Sequence, residues 1–297
     1  MFNTTIRPYI KDSIDMITNY QIKEVLEYNI YEGKCIRGFI TKYVMNKLSD
    51  GSIDESFPIF LIEALQSLSL ILDDLPCMDN SMIRRNKTST HIKFTESETL
   101  LTSVYVAMKL QAKLIEKIYD LNEKTEFYYK KEKLDRTSIV RILNETVDEN
   151  IILGQLLDLG HKYDDILQQH TLSKIYNKDT MIIILKTSSL FSLAFLLGVF
   201  FSNKSGIDID DFSNMGIHYG VLYQIVDDLL DYNEDCKKNY NYVRSVGIDK
   251  VAPIYTEHKT KLLYLLKKYD LFNDEFCKII DILDTKFYKN IHIYTTS

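Results

Sequence analysis

The amino-acid sequence predicts an all-α protein. Three features carry this: only 4 Pro and 10 Gly are scattered through 297 residues, long stretches are rich in Leu, Ile, Lys and Glu, and the longest apolar runs are helix-patterned. At 45% hydrophobic content the chain can bury a sizeable core. No repeat of fixed period, Gly/Ser linker or low-complexity tail divides it, so residues 1–297 read as a single domain.

Along the chain, MFNTTIRPYIKDSIDMI carries early acids and no uninterrupted apolar stretch, so it does not read as a signal peptide. LIEALQSLSLILDDLPCMD is an apolar helix ending in acids, with Pro76 disturbing it before Asp79. The charge run from Glu123 to Arg136 mixes signs, as a solvated helix connection does. Asp164 and Asp165 precede a short helical pattern without a third acid in register, and read as a helix cap. Met181 to Phe201 has spanning length, yet Lys186, Thr187, Ser188 and Ser189 interrupt it, leaving less than the ~20 apolar residues a membrane span needs. It reads as the centre of a large helical bundle, with no stable membrane insertion.

A net charge of −6 argues against nucleic-acid binding. Cys35, Cys77, Cys236 and Cys277 form no CxxC pair, which disfavours a disulfide framework or zinc site and fits a reducing cytoplasm.

Two acidic clusters stand out because they end apolar helices. Leu68, Leu70, Ile71, Leu72 and Leu75 leave little polar surface for Asp73 and Asp74, and buried carboxylates need partners or a metal. The pattern recurs in GIHYGVLYQIVDDLLDY, where Asp227 and Asp231 share one helix face with Asp228 beside them. Stepping back by three or four from Asp227 meets Gln224, Gly220 and Gly216; from Asp73 it meets Ser69 and Gln66. Such stripes line a hollow, and their glycines mark either room for a ligand or close helix packing. Two carboxylates ~4 Å apart repel by about 4 kcal/mol at an effective dielectric near 20, so facing clusters require cations. Hard oxygen donors without His or Cys select Mg²⁺, commonly completed by substrate phosphates.

At these residues the chain resembles the trans-isoprenyl diphosphate synthases, the farnesyl and geranylgeranyl diphosphate synthase family, from about Gly33 to Gly247. DDLPCMDNSMIRRNKTSTHIKF is similar to the family's first Asp-rich region, in the DDxxxxD form of the geranylgeranyl type, and YQIVDDLLDY to its second. The resemblance implies the isoprenoid synthase fold, a single helical bundle with a central cavity, and metal ligation by Asp73, Asp74, Asp79, Asp227, Asp228 and Asp231. EGKCIRG is similar to GGKR-x-RP, which puts Lys34 and Arg37 on the isopentenyl diphosphate with Gln66 assisting. Arg84 falls on the allylic diphosphate position and Arg85 on the isopentenyl one. Lys186 and Thr187 match a KT pair, Gln155 and Asp158 a GQ-x-x-D, and Gln224 the residue before the second motif. Taken singly, Arg84 and Arg85 could offset nearby acids and Lys186 could snorkel; neither explains their spacing. Cys35 and Gly38 depart from the family's Arg and Pro, Ser103-Val104 stand where Gly-Asp is usual, and the loop after Asp231 is short, with Lys237 and Lys238 as substitutes.

The implied activity joins isopentenyl diphosphate to an allylic diphosphate (dimethylallyl, geranyl or farnesyl) with Mg²⁺, in a homodimer. Asp73, Asp74, Asp227, Arg84 and Lys186 would carry the catalysis. A class I terpene synthase is the first rival, but its N-D-x-x-S-x-x-x-E motif is missing; a noncatalytic subunit is the second, but both acidic motifs are complete. Leu68 and Ser69 stand just upstream of Asp73, where an aromatic in the family closes the pocket early; with none there, the resemblance implies a C20 product ahead of C15.

Overall fold

The computed structural model describes residues 2–49, 51, 53–160, 174–233 and 241–295. Asp164, Asp165, Cys236, Lys237 and Lys238 lie outside them. The fold is all-α: helices α1 (Asn3–Ile14), α2 (Tyr20–Ile30), α3 (Ile36–Leu48) and α4 (Ser56–Asp73) lead to a two-stranded hairpin, β1 (Ile83–Arg84) and β2 (Lys87–Thr88). There follow α5 (Thr90–Lys93), α6 (Glu96–Tyr119), short strands β3 (Phe127–Tyr129) and β4 (Glu132–Lys133), α7 (Arg136–Asn144) and α8 (Asn150–Asp158). The remainder is α9 (Lys178–Ile183), α10 (Ser189–Phe200), β5 (Ile207–Asp208), α11 (Ile209–Leu230), α12 (Tyr242–Val246), α13 (Ile248–Lys268) and α14 (Asp274–Thr295). Two π-turns interrupt the helical runs, Glu145–Glu149 before α8 and Ile184–Ser188 between α9 and α10.

Local sequence sets the helix starts. Asn19, Asn177, Asp208 and Asn241 each accept a backbone N–H at a helix N-terminus. Thr95 accepts from Glu98 N–H at 3.1 Å and donates to its carboxylate, an early and reciprocal start signal for α6.

The chain divides into two compact units. The first comprises Met1–Tyr128, Lys133–Val140 and Leu197–Ile207. Its centre is α4, which packs against α1, α2, α3 and α6. Ile59, Phe60, Leu61, Ile62 and Ala64 are buried on every side of α4, and each large side chain contributes about 1.5–3 kcal/mol by leaving water.

The second unit comprises Tyr129–Glu132, Arg141–Leu196 and Asp208–Ser297, and α11 is its axis, packed on α13, α14 and the second π-turn. Gly216 and Gly220 allow this packing. A Cβ on Gly216 would lie 2.2 Å from Ser192 Cα, and one on Gly220 2.5 Å from Ser188 Cα. Of the two meanings open for this glycine stripe, close packing is the one realised. His218 of α11 and His258 of α13 meet Nδ1 to Nδ1 at 3.1 Å, and burial holds both pKa values below the ordinary histidine range.

Ser56–Asp73 and Lys178–Phe200 have the length and composition to cross a membrane, but 61% and 89% of these windows are buried inside the protein. The second is the segment that reads as a bundle centre.

Candidate active site

The first unit brings one acidic cluster and several cations together. Asp73 ends α4, and the chain folds back so that Asp79 N–H donates to Asp73 C=O at 2.9 Å. The outer acids of DDLPCMD are thereby adjacent, Asp73 half-buried and Asp79 exposed. Asp74 turns inward: it is 1% exposed, and its Oδ1 accepts from Arg84 Nε at 2.9 Å and from Arg84 Nη2. Burial is the largest influence and opposes the Arg84 charge, but the hydrogen bond and charge of Asp74, with the charges of Asp73 and Asp79, together raise the Arg84 pKa.

Arg84 and Arg85 point apart because they sit on a hairpin. Ile83 pairs with Thr88 and Arg84 with Lys87, leaving Arg85 (φ 53) and Asn86 (φ 62) as a two-residue turn. The left-handed conformation costs a non-glycine residue about 1–2 kcal/mol, and here it carries the Arg85 side chain back toward the C-terminus of α2, 3.5 Å from Asn29 O. Tyr28, Asn29, Glu32, Arg84, Arg85 and Lys87 line a shallow cleft, to which Ser67 and Leu70 of α4 also contribute. Lys34 is exposed and Arg37 and Gln66 are half-buried in the same unit. Leu68 is buried; Ser69 donates to Gln66 O at 3.0 Å.

In the second unit, Asp227 and Asp231 lie one helical turn apart, joined by the Asp231 N–H to Asp227 C=O bond at 3.1 Å. Asp228 is 7% exposed; its Oδ1 accepts from Gln224 Nε2 at 2.7 Å and its Oδ2 from Tyr242 N–H at 2.6 Å. Thr187 Oγ1 donates to Gln224 Oε1 at 2.6 Å, which fixes the Gln224 amide with its NH₂ toward Asp228. Lys186 Nζ pairs with Asp158 Oδ2 at 2.5 Å. Both Lys186 and Thr187 lie in the π-turn, a register break that recurs at functional positions. Gly154 lets α8 reach that turn, since a Cβ there would lie 2.3 Å from Lys186 N. Gln155, expected alongside Asp158, has its Nε2 buried without a partner among the described residues.

Among the described residues, no three His, Cys, Asp or Glu side chains converge as a metal-binding group. Each cluster instead offers two outer carboxylates on linked backbone. That suits a hard cation which keeps its waters and takes only one or two protein carboxylates. Sequence reasoning missed Glu63, although it sits among Ile59, Phe60, Leu61 and Ile62 much as Asp73 sits among leucines. It also missed the Tyr242 N–H, which no side-chain pattern reports.

The described residues thus form a helical protein in which each of two Asp-ended helices shares its unit with basic side chains. The polyprenyl synthetase family model matches residues 19–244, and the chain belongs to that family. It is 33% identical over 222 residues to farnesyl diphosphate synthase of Buchnera aphidicola, covering 70% of this chain and 72% of the relative. It is 27% identical over 239 residues to geranylgeranyl pyrophosphate synthase 10, mitochondrial, of Arabidopsis thaliana, covering 78% of this chain and 63% of that one. Among solved structures, geranyltranstransferase of Thermotoga maritima superposes with a TM-score of 0.73 at 20% identity, covering 96% of this chain and 100% of that one. Geranyltransferase of Helicobacter pylori complexed with magnesium and isoprenyl diphosphate gives 0.65 at 20% identity, covering 97% of each chain. These likenesses show the isoprenoid synthase fold.

Proposed function

We propose that the protein is a Mg²⁺-dependent prenyltransferase that condenses isopentenyl diphosphate with an allylic diphosphate, mainly to the C20 product, and that residues 1–297 form one polyprenyl synthase domain. The observation that carries the reading is the shared plan of the acidic clusters: an outer acid pair tied by its backbone and a middle acid turned inward. Asp73, Asp79, Asp227 and Asp231 would hold Mg²⁺, while Asp74 and Asp228, whose carboxylates accept internal hydrogen bonds, orient their neighbours. The relatives' names span farnesyl and geranylgeranyl products, and the Helicobacter structure holds magnesium with isoprenyl diphosphate.

Bound Mg²⁺ supplies positive charge where the leaving diphosphate gains negative charge. Arg84 and Lys186 would bind the allylic diphosphate and stabilise it as its C–O bond breaks. Lys34, Arg37 and Arg85, with Gln66, would hold isopentenyl diphosphate so that its double bond attacks the allylic carbon. A proton then leaves to the departed diphosphate, and apolar helix faces would exclude water from the allylic carbocation left when the C–O bond breaks. Thr187 and Gln224 fix the second cluster through their hydrogen bonds.

The same reading proposes a cytoplasmic homodimer. Leu101, Val104 and Met108 share one face of α6 and are 67%, 48% and 66% exposed, an apolar stripe that a second copy would cover. Purified protein incubated with Mg²⁺, isopentenyl diphosphate and each short allylic diphosphate should yield longer prenyl diphosphates by mass spectrometry. Recovery of the substrates unchanged would contradict the proposal.

A further inference from the structure

Behind the loop that carries Lys34 and Arg37 lies a buried carboxylate to which the reaction gives no task. Glu63 of α4 is 4% exposed, and its Oε1 accepts from Gly38 N–H at 2.7 Å. Gly38 is the third residue of α3, and the first N–H groups of a helix have no acceptor within it. The cap residue of α3, Cys35, stands in the left-handed region (φ 55) and makes no side-chain cap bond. Helix α3 therefore takes its N-terminal acceptor from α4, and a carboxylate is well matched to that end of the helix dipole.

The fit is close at both ends of the loop. A Cβ on Gly38 would lie 3.1 Å from Glu63 Cγ and Oε1, and one on Gly33 3.4 Å from Glu63 Oε2. The carboxylate fills the hollow of residues 33–38 while Lys34 stays exposed on the outside. Burial and then the Glu63 charge push the Cys35 thiol up to about 12. Burial also raises the pKa of Glu63, opposed by Gly38 N–H and by the charges of Arg37 and Arg85. The two departures at Cys35 and Gly38 thus have a physical sense: a small thiol fits beside the carboxylate, and glycine, unlike proline, supplies the N–H.

We propose that Glu63 is a positioning residue for the isopentenyl diphosphate site, holding the 33–38 turn so that Lys34 and Arg37 are preset for the diphosphate. This rests on the reading that these cations grip that substrate. Glu63 touches no substrate and acts through the turn.

Two variants separate the acceptor from general packing. Glu63→Met fills the volume without a carboxylate oxygen; Glu63→Gln keeps an oxygen for Gly38 N–H. Calorimetry with isopentenyl diphosphate should show Glu63→Met binding at least ~10-fold more weakly, with its KM raised in proportion and kcat and the allylic KM within about twofold. Glu63→Gln should return to within about threefold of wild type. In the unaltered protein, the Gly38 amide should exchange hydrogen more slowly than the Ile36 amide, whether or not Glu63→Met folds.

Unchanged isopentenyl diphosphate affinity in Glu63→Met, equal damage to both substrates, failure of Glu63→Gln to restore binding, or a Gly38 amide as fast as Ile36 would each overturn the proposal. Wild type that binds isopentenyl diphosphate without condensing it contradicts the prenyltransferase reading alone, and the affinities of the variants still decide the role of Glu63. Wild type that does not bind it overturns both.

Discussion

The two acidic clusters use the same arrangement of acids but different chemistry to hold it. In the first, the inward acid Asp74 is met by a charged partner, the Arg84 guanidinium. In the second, the inward acid Asp228 is met by neutral donors, the Gln224 amide and the Tyr242 backbone N–H. The outer acids are alike: Asp79 is drawn to Asp73, and Asp231 to Asp227, by one backbone hydrogen bond each. The comparison teaches that the inward member of an Asp-Asp pair can be fixed either by a charged or by a neutral partner, while the proposal gives its neighbours to the metal.

The largest effect should come from removing an outer acid in either cluster. Asp73→Ala and Asp227→Ala are each expected to lower turnover by ~10³-fold, since a missing metal ligand removes charge stabilisation of the leaving group. Steady-state kinetics of the pair checks this. A large loss in one and a negligible loss in the other would break the symmetry of the outer acids.

The inward acids should differ instead. Asp74→Asn removes the anionic acceptor of Arg84, whose side chain is about one-third exposed, and should lower stability by about 2–3 kcal/mol, in the range for hydrogen bonds to charged groups. Asp228→Asn keeps one acceptor but turns an NH₂ toward a donor, with a smaller expected loss of about 1–2 kcal/mol. Urea denaturation of both measures the difference; an equal or reversed order would show that the nature of the partner is immaterial.

How much of this was legible in the sequence depends on what each feature is made of. Asp73, Asp74, Asp227 and Asp228 were visible because carboxylates rarely end long apolar helices without a purpose. The pairing of Lys186 with Asp158 was not, since those residues are 28 apart and meet only because Gly154 admits α8 to a π-turn. π-turns leave no periodic signal. The hairpin around Arg85 and Asn86 was also hidden, because its strands are two residues long. Gly216 and Gly220 could be read as room or as contact, and only the nearness of Ser192 and Ser188 decides for contact.

The cations sharpen the comparison at the level of substrates. Arg84 contacts the first cluster directly, whereas Arg85 is carried to the α2 side of the hairpin. Arg37→Ala and Arg85→Ala should therefore raise the KM for isopentenyl diphosphate by ~10–100-fold, and Arg84→Ala and Lys186→Ala should mainly impair use of the allylic substrate. Equal effects on both substrates in all four variants would merge the two sites. The smallest effect is a redistribution of products: Ser69 is one helical turn, ~5.4 Å, before Asp73, and Ser69→Phe should shift products to shorter chains by chromatography. An unchanged distribution would remove Ser69 from the chain-length determinants.

The central claim is that outer carboxylates of both clusters hold Mg²⁺ for prenyl transfer. The most direct measurement is incorporation of labelled isopentenyl diphosphate into longer prenyl diphosphates, first with EDTA and then after Mg²⁺ is restored. The account predicts incorporation that disappears on chelation and returns with Mg²⁺; undiminished incorporation in EDTA would contradict it.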